Sequence, residues 1–216
     1  MATAKERVEM PVLWKEEGNI GFIILNDPPS NAMTINLFDC FIDILDTKIK
    51  NHIKAIIIYG AGRYFSSGAN LNDLLENIRE NVPVVEKKRV CPPDFLISHY
   101  RSFLRLTTFD IPVIAAIKGV CMGSALELAL SCDVRICSSG AVLGLPETTF
   151  GLIPGCGGIG RLRQLAGDAK ALELILRGCS FSAEEALNWN IIDKVLPKKD
   201  VLDFSIRLAQ NMINTK

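Results

Sequence analysis

The chain has 216 residues, 49% of them apolar, and its 24 Lys and Arg match its 24 Asp and Glu. That supports one substantial globular core and leaves no net field to draw the protein to nucleic acid or to anionic lipid. The opening residues, Met-Ala-Thr-Ala-Lys-Glu-Arg-Val-Glu-Met, mix charges and lack an apolar run, so they argue against a secretory signal or a membrane anchor and favour a cytoplasmic setting.

In chain order, residues 13–15 and 20–25 read as short strands around the turn Glu16-Glu17-Gly18-Asn19. From Ala32, the apolar residues Met33, Leu37, Phe41, Ile44, Leu45 and Ile49 recur at three and four, predicting an amphipathic helix with Asn31 as its cap. Residues 55–59 form a buried strand that Gly60-Ala61-Gly62-Arg63 turns away from. The stretch 64–74 runs from an extended piece through Ser66, Ser67, Gly68 and Ala69 into a helix, with Asn70 or Asn72 near its start. By itself it is a glycine turn with an asparagine cap. Residues 76–93 are polar, end in Pro92-Pro93 and read as a surface loop or broken helix, and helical spacing resumes over 95–108.

Residues 111–133 predict a buried strand (113–117), a tight turn through Gly119 and Gly123, and a buried helix over 125–130. The run approaches the length of a membrane span, but Pro112, Lys118 and Glu127 interrupt it and suit a core better. Glu127 is the exception in an apolar segment. It has two readings: an acid in a helix's first turn, facing solvent and favoured by the dipole, or a functional carboxylate in an apolar pocket.

A strand over 134–137 follows, and then a second lone acid, Glu147, stands between Pro146 and glycine-rich loop material. Two such carboxylates favour the functional reading of both. Residues 155–160 match G-x-G-x-x-G, but they follow Pro154 rather than a strand and open no βαβ unit, so the match carries little toward a dinucleotide site. Residues 168–177 form a capped helix ending at Gly178, Ser182-Ala183-Glu184-Glu185 is a capping-box start for another running to Trp189, and residues 201–212 form a last amphipathic helix. The seven cysteines contain no Cys-x-x-Cys pair and read as reduced core residues. His52 and His99 lie in no metal-ligand pattern, so neither a metal site nor a Ser-His-Asp triad is supported.

The chemical kit is therefore two carboxylates in apolar settings plus two strand-to-helix turns with free N–H groups. Such amides hold an oxygen that gains negative charge, and carboxyls of raised pKa move protons beside it. Proton transfer next to a carbonyl, or addition of water across a conjugated double bond, follows.

Residues 65–71 (FSSGANL), 112–119 (PVIAAIKG), 122–133 (MGSALELALSCD), 145–147 (LPE) and 151–158 (GLIPGCGG), in this order and spacing, resemble the crotonase, or enoyl-CoA hydratase/isomerase, superfamily over nearly the whole chain. The resemblance implies an α/β fold, a spiral of repeated β-β-α units closed by helices. It places the core in 1–197 and the start of a shortened C-terminal helical region in 198–216. It implies a homotrimer or hexamer and a coenzyme A thioester as substrate, with no separate cofactor, metal or nucleic acid. By it, the N–H groups of Ala69 and Ser124 form an oxyanion hole, Ser67, Ala69 and Leu71 bind the adenine and pantetheine of CoA, Glu127 activates water, Glu147 exchanges the proton at the α-carbon, and Gly155 leaves room for the water. Keeping both glutamates favours an enoyl-CoA hydratase. A Δ3-Δ2 enoyl-CoA isomerase, another crotonase reaction on a specialised acyl-CoA, or a non-catalytic acyl-CoA- or RNA-binding relative are the alternatives. The sequence departs from the family pattern in having Ser124-Ala125 for Gly-Gly, Asn70 for the usual aspartate, and an end at Lys216.

Overall fold

A computed structural model describes residues 10–74, 76 and 94–215. Strands β1 (Val12–Glu17) and β2 (Ile20–Leu25) pair antiparallel, Val12 opposite Leu25 and Glu17 opposite Ile20. Helix α1 (Ile35–Thr47) leads into β3 (Ala55–Gly60), and α2 (Asp94–Leu106) into β4 (Val113–Ile117). Strand β5 (Val120–Met122), helix α3 (Ser124–Leu130), β6 (Val134–Ser138) and β7 (Val142–Gly144) follow. The rest is α4 (Gly158–Ala166), α5 (Asp168–Arg177), β8 (Ser180–Ser182), α6 (Ala183–Asn188), β9 (Lys194–Leu196) and α7 (Val201–Asn214).

The strands form two sheets, one ordered β1-β2-β3-β4-β6-β9 and one ordered β5-β7-β8. From β2 to β9 the larger sheet is parallel. Parallel strands are covered on both faces, which is why β3 (AIIIYG) and β4 (VIAAI) are almost continuously apolar. Their side chains divide with period two. Ile56, Ile58, Val113, Ala115 and Ile117 join the core containing α1 and α3, while Ala55, Ile57, Ile114 and Ala116 join a second core under α7. Helix α1 buries Leu37, Phe38, Phe41, Ile44 and Leu45, each stabilising by about 1.5–3 kcal/mol. No helix among the described residues is long and apolar enough to cross a membrane.

The hairpin, the strands at 55, 113 and 134, and the capping box of α6 fall where the sequence puts them; in that box Ser182 and Glu185 bond each other's backbone N–H. Helix α1 does not begin at 32, and Asn31 does not cap it. Thr34 is the cap, its hydroxyl accepting from the Leu37 N–H. Asn31 is buried at φ 51, its amide donating to the carbonyls of Ala61, Tyr64 and Phe65. Met33 cannot be helical because it forms a parallel bridge with Ala69. The turn expected between residues 117 and 125 contains β5, whose three residues are too short to show a period and pair with the second sheet. Helix α5 has no side-chain cap, since Gly167 precedes it and Asp168 pairs with Arg163. Strands β7 and β8 and helix α4 were not expected. Of the surface loop expected over 76–93, residues 77–93 lie outside the described residues.

Candidate active site

The site grows from two places where a strand gives way to a helix. In the first, Ser66 bridges Cys121 and Ala69 bridges Met33, both in parallel. The Met33 N–H donates to the Gly68 carbonyl at 2.8 Å and the Asn70 N–H donates to the Met33 carbonyl at 3.3 Å. In a parallel ladder the residue between two such bonds directs its own N–H to the opposite side. The Ala69 N–H therefore points away from Met33. Gly68, at φ 89, makes this possible: a Cβ there would stand 2.4 Å from the Met122 carbonyl oxygen, so the two crossings meet backbone to backbone. Asn70 then caps the helical turn at 71–74, its Oδ1 accepting from the N–H groups of Asn72 and Asp73. The capping half of the bland reading holds, and it explains how an uncharged residue serves here.

In the second place, β5 ends at Met122 and Gly123, at φ 55 and ψ −128, turns the chain into α3 while its N–H donates to the Gly144 carbonyl at 2.9 Å. A side-chain-bearing residue adopts that backbone only with strain. Ser124 opens the helix, so its N–H has no acceptor within it. Among the described residues neither the Ala69 nor the Ser124 N–H is bonded. Both residues line one cavity of about 390 Å³.

Glu127 reaches the same cavity from the next turn of α3 and is only 2% exposed, so the solvent-facing reading fails. Its Oε1 accepts from the N–H groups of Cys156 and Gly158, each at 2.8 Å. This is the use of the glycine-rich loop: its free amides at the start of α4 hold a carboxylate, not a pyrophosphate. Burial pushes the Glu127 carboxyl up to about 7; the neighbouring Glu147 charge adds to the rise, while the two N–H bonds and Arg161 oppose it. Glu147 opens a 3₁₀ turn (Glu147–Phe150) after Pro146, and burial raises its pKa too. Its Oε2 is buried without a hydrogen-bond partner among the described residues.

Ser67, Leu71 and Gly155 line the same cavity, so all seven residues singled out in the sequence converge on it. Nothing lies within 4 Å of where a Gly155 Cβ would stand, so the space beside it is open. Other lining residues escaped the sequence reading, His99 and Met33 among them. His99 is buried against Phe38 with ring centres 3.6 Å apart and planes 9° apart, and desolvation lowers its pKa to about 4, keeping the ring neutral. The signal was its spacing: Leu96, His99, Phe103 and Leu106 share one helical face. Met33, assigned to a helix face, also lines the cavity, and its Sδ accepts the Ser124 hydroxyl at 3.2 Å.

Two unbonded amides and two desolvated carboxyls lining one cavity in this fold define a crotonase-fold site. A Thermobifida fusca protein solved with acetoacetyl-CoA has this fold, with a TM-score of 0.82 and 27% identity, covering 95% of this chain and 81% of its own. A sequence profile described as enoyl-CoA hydratase/isomerase matches residues 15–216, and the chain belongs to that family. A Bacillus subtilis protein named "Probable enoyl-CoA hydratase" is 34% identical over 80% of this chain, which spans 64% of that protein's length. A Clostridium acetobutylicum short-chain-enoyl-CoA hydratase is 30% identical over 94% of this chain and 75% of its own.

Proposed function

We propose that the protein hydrates trans-2-enoyl-CoA thioesters. The reading is carried by one observation: Glu127 and Glu147, both desolvated, share a cavity with the two unbonded amides of Ala69 and Ser124. The thioester oxygen accepts from both amides, which draws the conjugated electron pair toward it. Glu127, ionised and held by Cys156 and Gly158, takes a proton from water as the water oxygen bonds to the β-carbon. The C=C pair becomes the double bond between the α-carbon and the thioester carbon while the C=O pair moves onto the thioester oxygen, giving an enolate, and Glu147 in its acid form, which burial favours, gives a proton to the α-carbon. Two opposite roles suit two carboxyls whose acid forms burial favours, Glu127 reaching about 7. Each preorganised amide supplies about 10²–10³ in rate by holding the developing charge.

Mixing the protein with a short trans-2-enoyl-CoA is expected to abolish the conjugated absorbance, and Glu127→Gln and Glu147→Gln each to slow this by about 10²–10⁴. An unchanged spectrum across several chain lengths overturns the reading. Product formed without oxygen from heavy-oxygen water identifies an isomerase instead. Ser67 and Leu71, at the cavity rim beside Ala69, serve as contacts for the CoA moiety, and the chemistry needs no cofactor beyond the substrate's own. Gly155 gives the attacking water its space.

Self-association into a trimer or hexamer belongs to the same proposal. Its support is the apolar surface of Phe150, Ile153, Leu172 and Leu176, which are 55, 70, 58 and 66% exposed on the 3₁₀ turn, the loop after it and α5. The Thr148 hydroxyl bonded to the Ile175 carbonyl holds turn and helix together. A cytoplasmic setting fits the unpaired Cys121, Cys132, Cys137 and Cys156, all buried as thiols.

A further inference from the structure

We propose that Met33 is the positioning residue that sets the two oxyanion amides in register with each other, an inference that rests on the acyl-CoA site proposed above. Each amide follows a glycine at positive φ, Gly68 before Ala69 and Gly123 before Ser124. A glycine rotates with little penalty, so each amide's aim depends on what holds its peptide: the Met33 N–H on the Gly68 carbonyl at 2.8 Å, and the Glu127 N–H on the Gly123 carbonyl at 3.0 Å. The two also belong to distant parts of the chain, and a hole works only if both donors converge on one oxygen within a fraction of an ångström.

Met33 touches both. Its main chain brackets Ala69, accepting from the Asn70 N–H and donating to the Gly68 carbonyl, which turns the Ala69 N–H away from Met33. Its side chain crosses to the other half, where Sδ accepts the Ser124 hydroxyl at 3.2 Å. Met33 is 2% exposed, so the sulfur is held by packing rather than free to swing. The bond answers the oddity of this chain, a serine where a glycine is usual in its family. Ser124, the first residue of α3, lines the same cavity as Glu127 and Glu147, and its hydroxyl is buried against Met33. The thioether, an acceptor with no proton to give, holds that hydroxyl and fixes the side-chain torsion of Ser124 at the helix start.

Three variants test this: Met33→Leu, which keeps the volume and removes the acceptor; Ser124→Ala, which removes the donor; and the two together. Two readouts apply, steady-state hydration of an enoyl-CoA and the infrared carbonyl frequency of bound butanoyl-CoA, which reports polarisation without turnover. Met33→Leu is expected to lower kcat by roughly two- to tenfold, the range one neutral hydrogen bond supports, with KM nearly unchanged, and to shrink the downward carbonyl shift. Ser124→Ala alone is expected to do the same, and Met33→Leu to add nothing in the Ser124→Ala protein. Equal losses from Met33→Leu in both backgrounds, or no change in either readout, overturn the proposal by reducing Met33 to packing. If Met33→Leu fails to fold, a Ser124→Ala protein with full rate and full carbonyl shift still overturns it. A wild-type protein that polarises the carbonyl but leaves enoyl-CoA unchanged sinks the hydratase reading alone, and Met33 is then judged on the infrared result. One that does neither sinks both.

Discussion

Glu127 and Glu147 sit on different elements, yet their environments make them a pair. Glu127 is buried and accepts two N–H bonds, whereas the Oε2 of Glu147 is buried with no hydrogen-bond partner among the described residues. Desolvation wins in both, which raises both carboxyls. For Glu127 the consequence for stability has a definite sign. Its folded value, about 7, lies above the unfolded one near 4.5, so the folded state holds the extra proton between them. The stabilisation is fully present below the unfolded value and is lost as pH rises through the folded one. Over that window it amounts to about 3 kcal/mol, at about 1.4 kcal/mol per pH unit. Thermal melts are expected to show wild type losing stability from about pH 4.5 to about 7, with Glu127→Gln flatter across the same range. A wild-type curve that instead rises there contradicts the desolvated state of Glu127. Because the base form is needed for attack, kcat/KM should climb through about pH 7.

At the scale of elements, the site is made by the ends of strands and the starts of helices, where backbone groups are left over. The crossing of the 65–70 segment over β5 needs Gly68, and the turn after it needs Asn70. Asn70→Asp keeps an acceptor for the Asn72 and Asp73 N–H groups, and is expected to leave the melting temperature within a degree or so. Asn70→Ala strips the cap and should lower stability by about 1 kcal/mol. Calorimetric melts of the two variants check this; equal loss in both would mean the charge, not the cap, matters. The same logic explains what could be read and what could not. The capping box at Ser182 is a contiguous signature, so it was legible. Asn31 carries the same type of side chain, but its carbonyl partners lie 30 to 34 residues away, and nothing local announces them. Strands β5, β7 and β8, of three residues each, are below the length at which alternation means anything.

For the whole molecule, the large sheet is sandwiched between α1, α2 and α3 on one face and α7 on the other. Arg135 ties several parts together. It is buried in β6, and its guanidinium donates to the carbonyls of Cys132 and Ile191 and pairs with Asp193. Among the described residues the most exposed large apolar side chains are Phe150, Ile153, Leu172 and Leu176, on the 3₁₀ turn, the loop after it and α5, which the bond from Thr148 to Ile175 holds together. Light scattering of the wild-type protein is expected to give a multiple of the 23.7 kDa chain mass, and Leu172→Glu with Leu176→Glu to shift it toward a single chain. A monomeric wild type refutes the assembly. Phe150 and Ile153 also line the cavity, so the double variant should weaken acyl-CoA binding only if a neighbouring copy completes the site.

The sequence by itself determined the chemical groups and their order: two lone acids, two glycine-led turns and the strands that carry them, because apolar runs, caps and motifs are local and their spacing survives in one dimension. Only the tertiary structure decided that the Ala69 and Ser124 amides are unbonded and share one cavity, that the glycine-rich loop grips Glu127, and that Met33 leaves its helical pattern to bridge both halves. Each of these is a contact between segments tens of residues apart. Such contacts are set by which buried polar groups find partners once the chain has closed on itself, and no stretch of sequence holds both partners.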